Sequence, residues 1–233
     1  MRYTLLFLLL FIQRAHAQTG AGASGAGQDY IQVSQEPRHH KILENEWVRV
    51  LDVRIPPGDT SLFHKHSTPS VFIVLSNTRT GSQVLVESAP ARFTDGHIWF
   101  ESFRTSPRIH RVWNSDTTEF HVIDLEVLNK TPKPIDPPMT MTDLPGVTLQ
   151  LLFDEAPVRG YRLTLLSGSL RIGPRRNPIL VAGLSDDAGS PTVNGVPFLK
   201  KGAILFVPAG KDILFTPTST GAPHPQFALL ELK

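Results

Sequence analysis

Gly58-Asp59-Thr60-Ser61-Leu62-Phe63-His64-Lys65-His66 places two histidines two residues apart, six residues after a glycine. Residues at that spacing on a β-strand project from the same face, so His64 and His66 can offer two imidazoles to one ion. Imidazole suits zinc, copper, iron and nickel. A third imidazole is available from His110, in His110-Arg111-Val112-Trp113-Asn114. With nine histidines in the chain, one His-x-His can arise by chance. The glycine ahead of His64 and the asparagine four after His110 make the constellation specific, and the candidate metal ligands are His64, His66 and His110.

Outward from this stretch the apolar segments are short, β-branched and separated by Gly and Pro: Val48 to Ile55, Val71 to Leu75, Gln83 to Val86, Phe120 to Leu128, Tyr161 to Leu166, Ile204 to Val207 and Phe227 to Leu232. Many short strands punctuated by turn residues imply a sandwich or barrel. No segment sustains a helical period, although Asn45 to Val48 or the proline-rich linker has room for a single turn. The two halves also echo each other. Arg49 to Gly58 parallels Arg159 to Gly168, and Phe120 to Glu126 parallels the shorter Phe227 to Glu231. An internal repeat of this kind predicts two barrels of one architecture.

The histidine-bearing residues resemble the motifs of the cupin superfamily. Its first motif runs Gly, five residues, His-x-His, three or four residues, Glu, and its second ends in His, three residues, Asn. Gly58, His64 and His66 match the first, and His110 and Asn114 the second. The family's glutamate position falls on Ser70 or Val71, so its carboxylate ligand is missing. The Pro-x-Gly before the second-motif histidine is replaced by Thr105 and Pro107. In the second half Gly202, Pro208 and Gly210 keep the pattern, yet the histidine position holds Ile213. Counted from Gly168, the His-x-His positions fall on Pro174 and Arg176. The resemblance therefore implies an all-β chain of two cupin-like (double-stranded β-helix, or jelly-roll) barrels, the second degenerate and without ligands. It implies one divalent metal ion (Fe, Mn, Zn, Ni or Cu) in the first.

The expected organisation is a signal peptide over 1–17, a flexible Gly/Ala leader over 18–29, a metal-bearing barrel over 30–130, a proline-rich linker over 131–146 and a second barrel over 147–233. The signal rests on Arg2, the apolar run Leu5 to Ile12 and the small-x-small site Ala15-His16-Ala17. The run is far short of the roughly 20 residues of a membrane span. Export to the periplasm or medium, with no stable membrane anchor, is the expected localisation. Removal of 1–17 takes away Arg2 and Arg14 and no acid, which cancels the net charge of +2. Nothing then points to nucleic acid or an anionic surface. With no cysteine in the chain, disulfides are excluded and core burial must supply the stability.

Of the remaining histidines, His39 and His40 sit between Arg38 and Lys41 and read as a solvated approach segment. His121 shares a side with Ile123 and Leu125 and reads as a satisfied core histidine, His97 lies on or near a strand, and His224 lies between prolines. Glu101, Asp52 and Asp124 are candidates to restore a carboxylate, and Glu101 or Tyr161 to act as acid or base. The interior of the second barrel is expected to pack around Leu163, Leu165, Ile204 and Phe206. Three classes of function stay open: a metal-dependent oxygenase or isomerase, a protein that uses the metal to anchor a small anionic ligand without turnover, and a structural bicupin without metal. Whether the barrels face each other within one chain or across a homodimer is left open.

Overall fold

The computed structural model describes residues 30–84, 87–129, 134–140, 146–186, 191–217 and 223–233, with backbone alone at 87–92. The expected signal peptide and leader, and half of the linker, lie outside the described residues. In the first half the strands are β1 (Ile31–Gln32), β2 (His39–Glu44), β3 (Val48–Ile55), β4 (His64–His66), β5 (Ser70–Val74), β6 (Thr78–Val84), β7 (Glu87–Phe93), β8 (Ile98–Glu101), β9 (Arg108–Asn114) and β10 (Phe120–Val127). They form two five-stranded sheets, ordered β1-β4-β9-β6-β7 and β2-β3-β10-β5-β8. In the second half they are β11 (Val147–Asp154), β12 (Val158–Leu165), β13 (Leu170–Ile172), β14 (Ile179–Gly183), β15 (Thr192–Val193), β16 (Val196–Pro197), β17 (Ile204–Val207), β18 (Ile213–Thr216) and β19 (Gln226–Leu232). Their sheets are ordered β11-β12-β19-β14-β17 and β13-β18-β15-β16.

The two halves repeat each other strand for strand around the central pairs. Glu126 of β10 sits opposite Arg49 of β3, and Glu231 of β19 sits opposite Arg159 of β12. Both pairs are joined, Arg49 to Glu126 at 2.8 Å and Arg159 to Glu231 at 3.1 Å. Gly58 and Gly168, which close the repeated strands, have φ of 76° and 70°. That left-handed conformation strains any residue with a Cβ, so the matching glycines reflect a matching turn.

β10 and β19 read as nearly continuous apolar runs because each is buried on both faces. One face of β10 (Phe120 and Val122) looks into its own barrel with Leu51, Val53, Ile55 and Val74. The other (Ile123, Leu125, Val127) packs on Leu180, Ala228, Leu230 and Leu232 from the second half. The largest core of the molecule is thus the seam between the barrels, where each fully buried Leu or Ile contributes about 1.5–3 kcal/mol. Lys201 pairs with Asp95 across the halves, and Arg162 donates to the Gly96 carbonyl.

The second barrel's interior is a closed apolar core of Tyr161, Leu163, Leu165, Ile172, Ile213, Phe215, Phe227 and Leu229. Leu163 and Leu165 lie where the sequence placed them. Ile204 and Phe206 instead pack against the seam, because alternation along β17 turns Leu205 and Val207 inward. The Pro174 and Arg176 positions also need correction. Ile213 pairs with Ile172, as His110 pairs with His64. The first-histidine position is therefore Ile172 and the second Pro174, two residues earlier than counting from Gly168 gives. Arg176 is exposed and donates its N–H to Asp136. The strand expected at Gln83 to Val86 runs from Thr78 to Val84. The one described helical turn is a 3-10 turn at Val33–Gln35, whereas Asn45 caps a hairpin by accepting from the Trp47 and Val48 N–H groups.

Candidate metal centre

His64 and His66 project inward from β4, and antiparallel pairing with β9 puts His110 directly opposite His64. The three imidazoles each offer a nitrogen within 4.8 Å of the others, so the group could hold a metal ion. Ring centroids are 4.7 Å apart for His64 and His110 and 5.0 Å for each pair with His66. The His64 Nδ1–H donates to the Leu62 carbonyl at 2.9 Å, which leaves its Nε2 lone pair free. His110 Nδ1 is engaged by the Ser82 hydroxyl at 3.1 Å, and among the described residues its buried Nε2 has no hydrogen-bond partner. An orphaned buried nitrogen beside two other imidazoles fits a divalent ion of the imidazole-preferring kind.

Burial favours the neutral rings. It lowers His64 to about 4, assisted by the nearby His39. It also holds His66 and His110 well below the ordinary histidine value, with the neighbouring imidazoles adding to the effect. All three are neutral near pH 7 and need shed no proton to ligate.

His39 is the main departure from the sequence reading. It is 8 % exposed, lies on β2 opposite Val53, and sets its ring edge-on to His64 with centroids 4.7 Å apart. Its Nδ1 is 2.7 Å from the Glu36 carboxylate, which also accepts from the Arg38 and Leu62 N–H groups at 2.6 and 3.1 Å. Burial alone would raise the Glu36 pKa, but these hydrogen bonds prevail and hold it at about 2. His40, the next residue, is exposed, as expected of its neighbour on a strand. The charged flanks Arg38 and Lys41 hid this alternation. The Arg38 guanidinium makes a two-toothed pair with Asp59 at 2.6 and 2.7 Å and also donates to Glu36 at 3.2 Å.

The histidines open onto a cavity of about 150 Å³ lined by His39, Val53, Ile55, Val112, Val122 and a row of aromatic rings. Phe72 stacks on Trp99 (4.9 Å), Trp99 on Phe93 (5.6 Å) and Phe93 on Phe120 (5.3 Å). Arg108, opposite His66 on β9, stands at the same cavity.

The candidate carboxylates separate cleanly. Asp52 accepts from His121 at 2.6 Å on the face of β3 turned toward the seam, so His121 is the satisfied histidine expected. Glu101 pairs with Arg108 at 3.3 Å. Tyr161 lies in the second barrel, where its hydroxyl accepts from the Met139 N–H at 3.0 Å. Asp124 alone lines the cavity, 1 % exposed. Its Oδ2 is 3.6 Å from His66 Nδ1. Burial, with the Glu126 charge beyond it, pushes its pKa well up. His97 is exposed and His224 half-buried, both apart from the cluster.

No family model matches the sequence, and no curated protein matches it. Solved structures do match in fold. A cupin 2 conserved barrel domain protein from Leptotrichia buccalis aligns over 83 % of this chain and 87 % of its own, at 12 % identity and a TM-score of 0.51. Salicylate 1,2-dioxygenase from Pseudoaminobacter salicylatoxidans, in a structure with gentisate, aligns over 82 % of this chain and 70 % of its own, at 13 % identity and a TM-score of 0.55. The fold is that of a two-barrel cupin, with a histidine cluster able to hold a metal in the first barrel and an apolar core in the second.

Proposed function

We propose that this protein is an exported bicupin that binds one divalent metal through His64, His66 and His110 and uses it to hold or transform a small anionic molecule. The observation that carries the reading is the convergence of three neutral imidazoles at the cavity. Three neutral ligands contribute no negative charge, so a bound divalent ion keeps its Lewis acidity and favours an anionic oxygen donor. The chain's own residues then select the ligand. A cavity near 150 Å³ accepts about the bulk of one small ring. The stacked Phe72, Trp99, Phe93 and Phe120 rings offer it flat apolar surface, and Arg108 offers a carboxylate a fixed cation. His39, held by Glu36, stands beside His64 where a proton could be exchanged with a bound molecule. The dioxygenase of like fold supports an oxygenase as the form catalysis would take, with an isomerase or simple ligand binding as the other outcomes.

Calorimetric titration of the purified full-length protein with salicylate and with cyclohexane carboxylate, before and after removal of metal by a chelator, tests this reading. Saturable binding that needs the metal and favours the flat acid supports it. Equal or absent binding with and without metal would refute it.

A further inference from the structure

Among the described residues Asp124 is the one carboxylate lining the cavity, and no cation pairs with it. Neither of its oxygens has a hydrogen-bond partner among the described residues, nor has Nδ1 of His66, 3.6 Å away. No arginine among the described residues pairs with it: Arg49 pairs with Glu126 and Glu44, and Arg108, at the same cavity, contacts Glu101 through one nitrogen and makes no ion pair with Asp124. Ser70, on the strand beside it, gives its hydroxyl hydrogen to the Thr68 carbonyl at 3.2 Å; it lies near enough to Asp124 to favour the charged form, but burial outweighs it. A carboxylate buried without a partner costs several kcal/mol in an ordinary core.

The second barrel shows what this position holds when no histidines stand opposite. With Glu126 matched to Glu231, Asp124 falls on Leu229, fully buried in the apolar core. His64 and His110 fall on Ile172 and Ile213 of the same core. Imidazoles and carboxylate are present together in one barrel and absent together from the other.

We infer that Asp124 is the anionic member of the metal centre, accepting the Nδ1–H of His66 so that the opposite nitrogen faces the ion, and balancing an ion that three imidazoles leave uncompensated. This rests on the proposed metal reading. Asp124 is a positioning residue: it acts on the ion through His66, the arrangement in which a carboxylate fixes a ligating ring's tautomer and raises its basicity.

Cobalt(II) serves as the probe, its affinity measured by chelator competition on the full chain and its visible ligand-field bands recorded, for the native protein and for Asp124→Asn and Asp124→Leu. Thermal unfolding of the three metal-free proteins is measured alongside. Both substitutions should weaken cobalt binding ten- to a hundredfold and shift the bands. Metal-free Asp124→Leu should melt no lower than the native protein, since it copies Leu229 and removes a buried polar group that has no hydrogen-bond partner among the described residues. Cobalt bound within threefold of native by both variants would overturn the inference while leaving the three-histidine reading intact. So would a metal-free Asp124→Leu that melts well below native, because Asp124 would then be a structural residue. An Asp124→Leu that fails to fold counts with that outcome, and the isosteric Asp124→Asn reports cobalt affinity and bands independently of it. A native protein that takes up no cobalt overturns the metal reading and this one with it.

Discussion

His39 Nδ1 lies 2.7 Å from a Glu36 oxygen, and the ring so held stands edge-on to His64 at 4.7 Å between centroids. The pair fastens the 3-10 turn before β2 to the mouth of the metal centre. Glu36→Gln should lower stability by about 1–3 kcal/mol at pH 7, because the buried acceptor of two backbone N–H groups, one imidazole and the Arg38 guanidinium is weakened. The effect has a defined pH window. The folded pKa of Glu36 is depressed to about 2 from an ordinary 4.5, so its contribution is complete above 4.5 and lost as pH falls toward 2. Urea unfolding should show the gap between native protein and variant shrinking across that interval. A gap of constant size would contradict the role given to its charge.

His64→Ala, His66→Ala and His110→Ala should each lower divalent-metal affinity at least tenfold, since loss of one of three ligands removes more than about 1.4 kcal/mol. His97→Ala and His224→Ala should leave it unchanged. His39→Ala is expected to alter binding of the organic ligand more than of the metal, as its ring lines the cavity without joining the cluster. Chelator competition across the six variants checks the pattern.

Leu230 is fully buried in the seam between the barrels, in the same cluster as Leu125 and Ile123. Leu230→Ala should cost about 2–5 kcal/mol and destabilise both halves together, because each barrel's sheet is completed by the other's apolar face. Calorimetry should show one transition in native protein and variant alike. Truncation after Asn129 would expose Val50, Ile73, Ile123 and Leu125 to water, and the fragment should aggregate. Two separate transitions, or a soluble stable fragment, would contradict a shared core.

Trp99→Ala should enlarge the cavity and remove the centre of the aromatic row. Affinity for a flat carboxylic acid should fall at least tenfold while metal affinity is retained. Isothermal titration of the metal-loaded variant separates the two effects.

Much of this was legible in the residues. The repeat ending on Gly58 and Gly168 announced two barrels, and the His-x-His spacing with His110 named a cluster that forms through one pairing register. What stayed hidden depends on which way each strand faces. His39 lies between charged residues whose side chains turn outward, so local polarity masked an inward ring. Asp124 sits in a run apolar on both sides, where sequence cannot say which residues meet a cavity and which a second barrel. Ile204 and Phe206 went to the seam for the same reason: in a strand buried on both faces, hydrophobicity carries no sign of direction. The Pro174 misplacement came from counting through a turn that is two residues shorter in the second barrel.

Elemental analysis of the purified full-length protein, set beside the His64→Ala/His66→Ala/His110→Ala triple variant, tests the central claim most directly. One equivalent of a divalent transition metal per native chain and none in a folded triple variant is the predicted result. Two equivalents per chain, or metal retained when all three imidazoles are gone, would contradict it.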